Sequence, residues 1–173
     1  MKQVSVQQLK ALVTSKIAKE LILSPHLASG IPKGAITSIS GAGKTEFVTT
    51  VLAANPKLNV AWIEKEFTAN PFALLQRKIE LKRVLFIEAK NEMDWVILQV
   101  LRAQAFSFVI FYLEVMELTT LRRIQLASEK SEVATLWLAP APRGMWPLCL
   151  ELEVTKKKSE IQVKVIKERA MCV

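Results

Sequence analysis

Between residues 35 and 139 the chain alternates five β-rich runs with four helical ones, and this rhythm limits the possible folds more than any other feature. The β-rich runs fall at 35–40, 58–64, 83–88, 106–113 and 133–139. Within the second, Val60, Ala61, Trp62 and Ile63 are consecutively apolar, as expected of a strand covered on both faces rather than one. The helical runs begin after the glycines at 41 and 43, at Asn70 with Pro71 in the first helical position, near Glu92 and near Leu118. In the third of these, Met93, Val96, Ile97, Val100 and Leu101 share one helical face. Repeated strand–helix–strand units predict the α/β class, with a mostly parallel sheet flanked by helices.

The ends of the chain read differently. After Pro140, Leu148, Leu150, Leu152 and Val154 alternate with Cys149, Glu151 and Glu153, and Ile161, Val163 and Val165 alternate with Glu160, Gln162 and Lys164. Two such runs without an intervening helix predict a C-terminal antiparallel hairpin, with Lys156, Lys157 and Lys158 at a solvated tip. At the other end, Ser5-Val6-Gln7-Gln8 has capping-box form, and Leu9, Leu12, Val13, Ile17 and Leu21 then recur on one face. This predicts an amphipathic N-terminal helix, stopped at Ser24-Pro25-His26. Residues 1–28 are thus expected to form a helix and connector, and residues 29–173 one core domain. His26, without a second potential ligand nearby, reads as a surface or capping residue.

Composition excludes several classes. At 173 residues and 51% hydrophobic the chain can bury a full core. The net charge of +8 admits an acidic partner, DNA included, although solvated lysine faces give the same balance. One histidine and two cysteines, Cys149 and Cys172, support neither a zinc site nor a disulfide framework. No apolar run approaches membrane-spanning length. The expectation is a cytoplasmic protein with no membrane association and no metal site.

Chemistry concentrates at Ile39-Ser40-Gly41-Ala42-Gly43-Lys44-Thr45, between the first strand and the first helix of the repeat. A full phosphate loop reads G-x-x-x-x-G-K-[ST], its glycines letting backbone N–H groups wrap a phosphate. Here only Ala42 separates Gly41 from Gly43, so three residues are missing, roughly 10 Å of extended backbone. Gly41, Gly43, Lys44 and Thr45 therefore form a degenerate loop. A helix start with a lysine can still hold an anion, and ATP is the cofactor such a site would keep, but these defects argue against hydrolysis.

With these residues in place, the chain resembles the RecA-like recombinase core over roughly residues 30–140. The likeness rests on Gly30-Ile31-Pro32-Lys33-Gly34, the Gly-Lys-Thr turn, Trp62-Ile63-Glu64-Lys65-Glu66 and the apolar fourth strand. Within that superfamily it looks most like the ImuA family of translesion DNA synthesis-associated proteins, and more distantly like the SulA family of division inhibitors. The residues 101–110, Leu121-Arg122-Arg123-Ile124-Gln125-Leu126-Ala127 and 163–169 carry this closer likeness.

The resemblance also shows what is altered. Tyr112 stands where the family keeps its magnesium-positioning Asp, and a phenol with a reference pKa near 10 does not replace a carboxylate. Glu114 follows two residues later and reads as an ordinary strand-end charge. Glu66 matches the carboxylate that activates water. The segment Leu138-Ala139-Pro140-Ala141 lacks the family's glutamine switch, and the links at 114–117 and 140–147 are too short for its DNA-binding loops. Interaction candidates remain: Arg122 and Arg123 on the fourth helix, and Arg143, Met145 and Trp146 in the proline-bounded link, weighed equally as an interface or a core plug. The resemblance implies a non-catalytic adaptor of mutagenic translesion synthesis. Its partners would be an ImuB-like Y-family pseudo-polymerase, an error-prone replicative-type polymerase and RecA, with direct DNA contact left open. A SulA-like inhibitor of the tubulin-like division protein and a weak DNA-stimulated ATPase are the alternatives.

Overall fold

The computed structural model describes residues 21–140, 144–158 and 160–169. Its strands are Leu21–Ile22 (β1), Ile31–Pro32 (β2), Ala35–Ser40 (β3), Val60–Glu64 (β4), Val84–Glu88 (β5), Phe108–Tyr112 (β6), Ala134–Leu138 (β7), Leu150–Lys157 (β8) and Glu160–Glu168 (β9). The helices are Lys44–Ala54 (α1), Pro71–Gln76 (α2), Met93–Ala103 (α3) and Leu118–Ser131 (α4).

Seven strands form one sheet in the order β5-β4-β6-β7-β3-β8-β9. All neighbours are parallel except the β8–β9 pair. Every residue of β3, β4 and β7 is buried, which explains the consecutive apolar residues of β4, while in β3 the polar Thr37, Ser38 and Ser40 are buried too. Side chains alternate between two cores. Ile39, Trp62, Ile110 and Leu136 pack with Phe47, Val48 and Leu52 of α1 and Leu74 of α2. Ile36, Ile63, Phe111 and Trp137 pack with Ile97 and Leu101 of α3 and Leu121 and Ile124 of α4. The five-strand, four-helix alternation and the C-terminal hairpin are therefore present as expected.

Three local readings change. The expected N-terminal helix falls on residues 1–20, outside the described residues, but Leu21, counted on its apolar face, begins β1. Ile31 and Pro32, read as part of a turn, form β2 and pair antiparallel with β1. Ile22 and Ile31 thereby fill the same core as α1, so burial outweighs the turn signal of Gly30 and Gly34. The hairpin tip is also shorter than expected: Lys156 and Lys157 remain in β8, and the chain turns at Lys158, whose φ is +56°.

The hairpin does more than close the chain. β8 lies parallel to β3, with Thr37 opposite Leu150 and Ser40 opposite Glu153, so the sheet continues beyond the loop-bearing strand. Cys149, just before β8, is disulfide-bonded, against the expectation that the two cysteines support no disulfide framework. Arg169, three positions before the second cysteine in sequence, donates its N–H to Cys149 O. Among the described residues no helix is long and apolar enough to cross a membrane, and no group of three or more His, Cys, Asp or Glu side chains could hold a metal.

Candidate functional site

The order of connections creates a crevice at the carboxyl end of the sheet. From β3 the chain crosses β7 and β6 to reach β4, whereas from β7 it crosses β3 in the other direction to reach β8. Adjacent strands whose connections leave in opposite directions open a cleft at their carboxyl ends, the usual ligand position in an open α/β sheet. Here the cleft measures about 470 Å³ and is lined by Lys44, Thr45, Trp62, Glu64, Thr68 and Tyr112, among others.

The shortened loop enters this cleft with its backbone already engaged. Gly43 N–H donates to Val154 O of β8 at 3.0 Å, and Lys44 N–H donates back to Gly41 O at 3.3 Å. Gly41 has φ +92°, and a Cβ there would lie 2.3 Å from Val154 O; at Gly43 a Cβ would lie 2.8 Å from Val154 Cγ1 and 3.1 Å from Thr155 C. Both glycines thus allow β8 to approach, the role that close backbone contact with a phosphate would otherwise have. The hairpin is fastened to α1 by side chains as well, through Lys156 Nζ, 3.5 Å from Glu46 Oε2. Glu46 also pairs with Arg77.

Lys44 is turned onto protein groups. Its Nζ donates to Ala139 O at 3.2 Å and lies 4.9 Å from the centre of the Tyr112 ring. Tyr112 therefore offers a π face to the cation at the position where the resemblance expects a magnesium carboxylate. Burial lowers the Lys44 ammonium below the ordinary lysine value. Thr45 is exposed on the rim of the same cleft.

The carboxylate in the cleft is Glu64, not Glu66. Glu66 is exposed and does not line the cleft. Glu64 is 5% exposed and accepts hydrogen bonds from Trp62 Nε1 at 3.1 Å, Thr68 N at 2.6 Å and Ala69 N at 2.9 Å. It also accepts one from Thr68 Oγ1 at 3.2 Å. These bonds satisfy the charge inside the protein and fix the turn that leads into α2, leaving Glu64 poorly placed to activate a water. Sequence reading missed it, although its spacing from Trp62 places both on one side of β4.

The interaction candidates divide into two groups. Arg122 and Trp146 meet: the Arg122 guanidinium lies 4.8 Å from the Trp146 ring centre, and Arg169 lies 5.6 Å from it. Trp146 remains 46% exposed, while Met145 is half-buried against the second core. The link is held down by Lys167 Nζ, which donates to Met145 O at 2.8 Å, and by buried Glu151, which accepts from Gly144 N–H at 3.0 Å. Met145 is therefore part of the plug and Trp146 part of the surface. Arg123 points elsewhere, into a groove shared with Arg102 and Lys130. Arg143 lies outside the described residues.

In comparison with known proteins, the sequence matches no family model and no curated protein.

Proposed function

We propose that the chain is a non-catalytic, RecA-like adaptor that supports damage-induced mutagenic translesion DNA synthesis through protein contacts, in the manner of the ImuA family it resembles. The observation that carries this reading is the hydrogen bond from Gly43 N–H to Val154 O. In an active phosphate loop the backbone N–H groups converge on the nucleotide. Here one is committed to the sheet, the lysine is committed to Ala139 O, and the buried carboxylate is committed to the turn at Thr68. Phosphoryl transfer depends on positioning and charge neutralisation, and these three groups, which would contribute to both, are already engaged. The exposed cations and Trp146 are what the surface offers instead. Its partners in this reading are an ImuB-like pseudo-polymerase, an error-prone replicative-type polymerase and RecA, and the working compartment is the cytoplasm.

Co-purification with the cognate ImuB-like protein tests the proposal. The folded chain is expected to be retained; loss of retention, with both proteins folded, overturns it. The open cleft beside Lys44 and Thr45 supports a second reading, a weak DNA-stimulated ATPase. That reading requires turnover that disappears in Lys44→Ala.

A further inference from the structure

On the face of the sheet covered by α3 and α4, a groove of about 530 Å³ runs between the two helices. Leu126 and Ala127 of α4 give it its accessible apolar surface, over the buried Leu98 and Leu101 of α3, and the cationic side chains of Arg102, Arg123 and Lys130 line it as well. Leu126 is 48% exposed although it faces this groove. No carboxylate and no aromatic side chain lines the groove, and among the described residues no ion pair joins Arg102, Arg123 or Lys130 to an acidic group. Three like charges around an apolar surface repel one another and gain most from an occupant of opposite charge.

We propose that this groove docks an acidic amphipathic helix of a partner protein. The surface of Leu126 and Ala127 takes the helix's apolar face, and the surrounding cations take its Asp and Glu side chains, the helix-in-groove mode of peptide recognition. A nucleic acid fits the same groove less well, because its phosphates would meet the cations while its bases met leucine, with no aromatic platform on which to stack. The proposal deepens the adaptor reading by giving one partner's chemistry. It rests on that reading only in treating the surface as a protein interface.

The test uses the whole chain and a fluorescein-labelled probe helix with leucines at i, i+3, i+4 and i+7 and glutamates at the other positions. Fluorescence anisotropy is expected to show binding that weakens as salt rises. Arg123→Glu combined with Lys130→Glu should weaken it about tenfold or more, as should replacing the probe's glutamates by glutamine. Lys157→Glu combined with Lys158→Glu, which changes the net charge equally at the distant hairpin, should leave it within about twofold. Equal weakening by both double variants, or no binding of the glutamate probe, overturns the proposal. So does displacement of the bound probe by oligo(dT) that is itself released by the groove substitutions, which would make the surface one for nucleic acid. Melting curves check each variant; if the groove double variant does not fold, Leu126→Ser takes its place with the same expected loss. Because the titration reads the groove alone and the co-purification reads the adaptor role, either can fail without the other.

Discussion

A single methyl group separates the two roles open to the loop glycines. If Gly41 served only a phosphate, Gly41→Ala would leave the folded protein largely intact. The added Cβ instead meets Val154 O at 2.3 Å on a residue whose φ is +92°. The substitution should cost about 3 kcal/mol or more, from backbone strain and the forced displacement of β8 together. Gly144→Ala is the control, since φ is +62° there but nothing lies within 4 Å, and about 1 kcal/mol is expected. Denaturant titration of the two variants checks the difference, and similar midpoints would mean that the loop is not clamped. Lys44 gives a second prediction, in pH. Its pKa is lowered on folding by burial, so between the folded value and the ordinary 10.5 the unfolded chain binds more protons. Stability should therefore rise with pH through that window, while below it the buried charge imposes a constant penalty. Lys44→Met lacks the penalty and should lose that rise. Comparison of the two chains by denaturant titration across alkaline pH checks this, and parallel profiles would contradict it.

At the scale of elements, one side chain ties the end of α1 to β5. Arg83 donates to Leu52 O at 2.7 Å, to Leu58 O at 3.1 Å and to Asn55 O at 3.2 Å, joining the helix C-terminus to the start of β5. A guanidinium there both satisfies terminal carbonyls and complements the helix dipole. Arg83→Ala should lower stability by about 2 kcal/mol, and Arg83→Lys should recover only part of that, because an ammonium lacks the planar fork. Thermal melts of the three chains decide; an alanine variant as stable as the parent would remove the cap from the account. Such long-range caps are invisible in sequence, where Arg83 reads only as the start of a strand. What was legible is what local period controls: buried β4 as an apolar run, α3 through its Met93–Leu101 face, and the hairpin through its alternation. What was not legible depends on partners distant in sequence. The pairing of β8 with β3 and the choice of Glu64 over Glu66 as the buried carboxylate are of this kind. Local signals also misled at Ile31-Pro32, where flanking glycines mark a turn but the core claims Ile31.

For the whole molecule, the position of β8 couples the loop to the integrity of the sheet. Thr37 to Ser40 pair with Leu150 to Glu153, and the Gly43–Val154 bond continues that seam by one more contact. Freeing the Gly43 N–H for a nucleotide therefore means displacing β8 at Val154, which shares a core with α1. A ligand can drive such a change only through its differential affinity for the opened state, and this loop has too few glycines and N–H groups to supply much. The same linkage fixes the size of a measurable effect. A ligand at a hundred times its Kd stabilises the folded state by about 2.7 kcal/mol, and in a chain of this size each kcal/mol raises Tm by about 2–4 °C. Millimolar ATP with magnesium should leave Tm unchanged, whereas ATP bound with a Kd near 10 μM would raise it by about 5–10 °C under the same arithmetic. A rise of that size, abolished in Lys44→Ala, would show that the seam opens at modest cost and would return the cleft to nucleotide chemistry. No rise, together with retention by the ImuB-like protein, would leave a mostly parallel sheet whose loop is held by its own hairpin and whose binding resides in the helices and link around it.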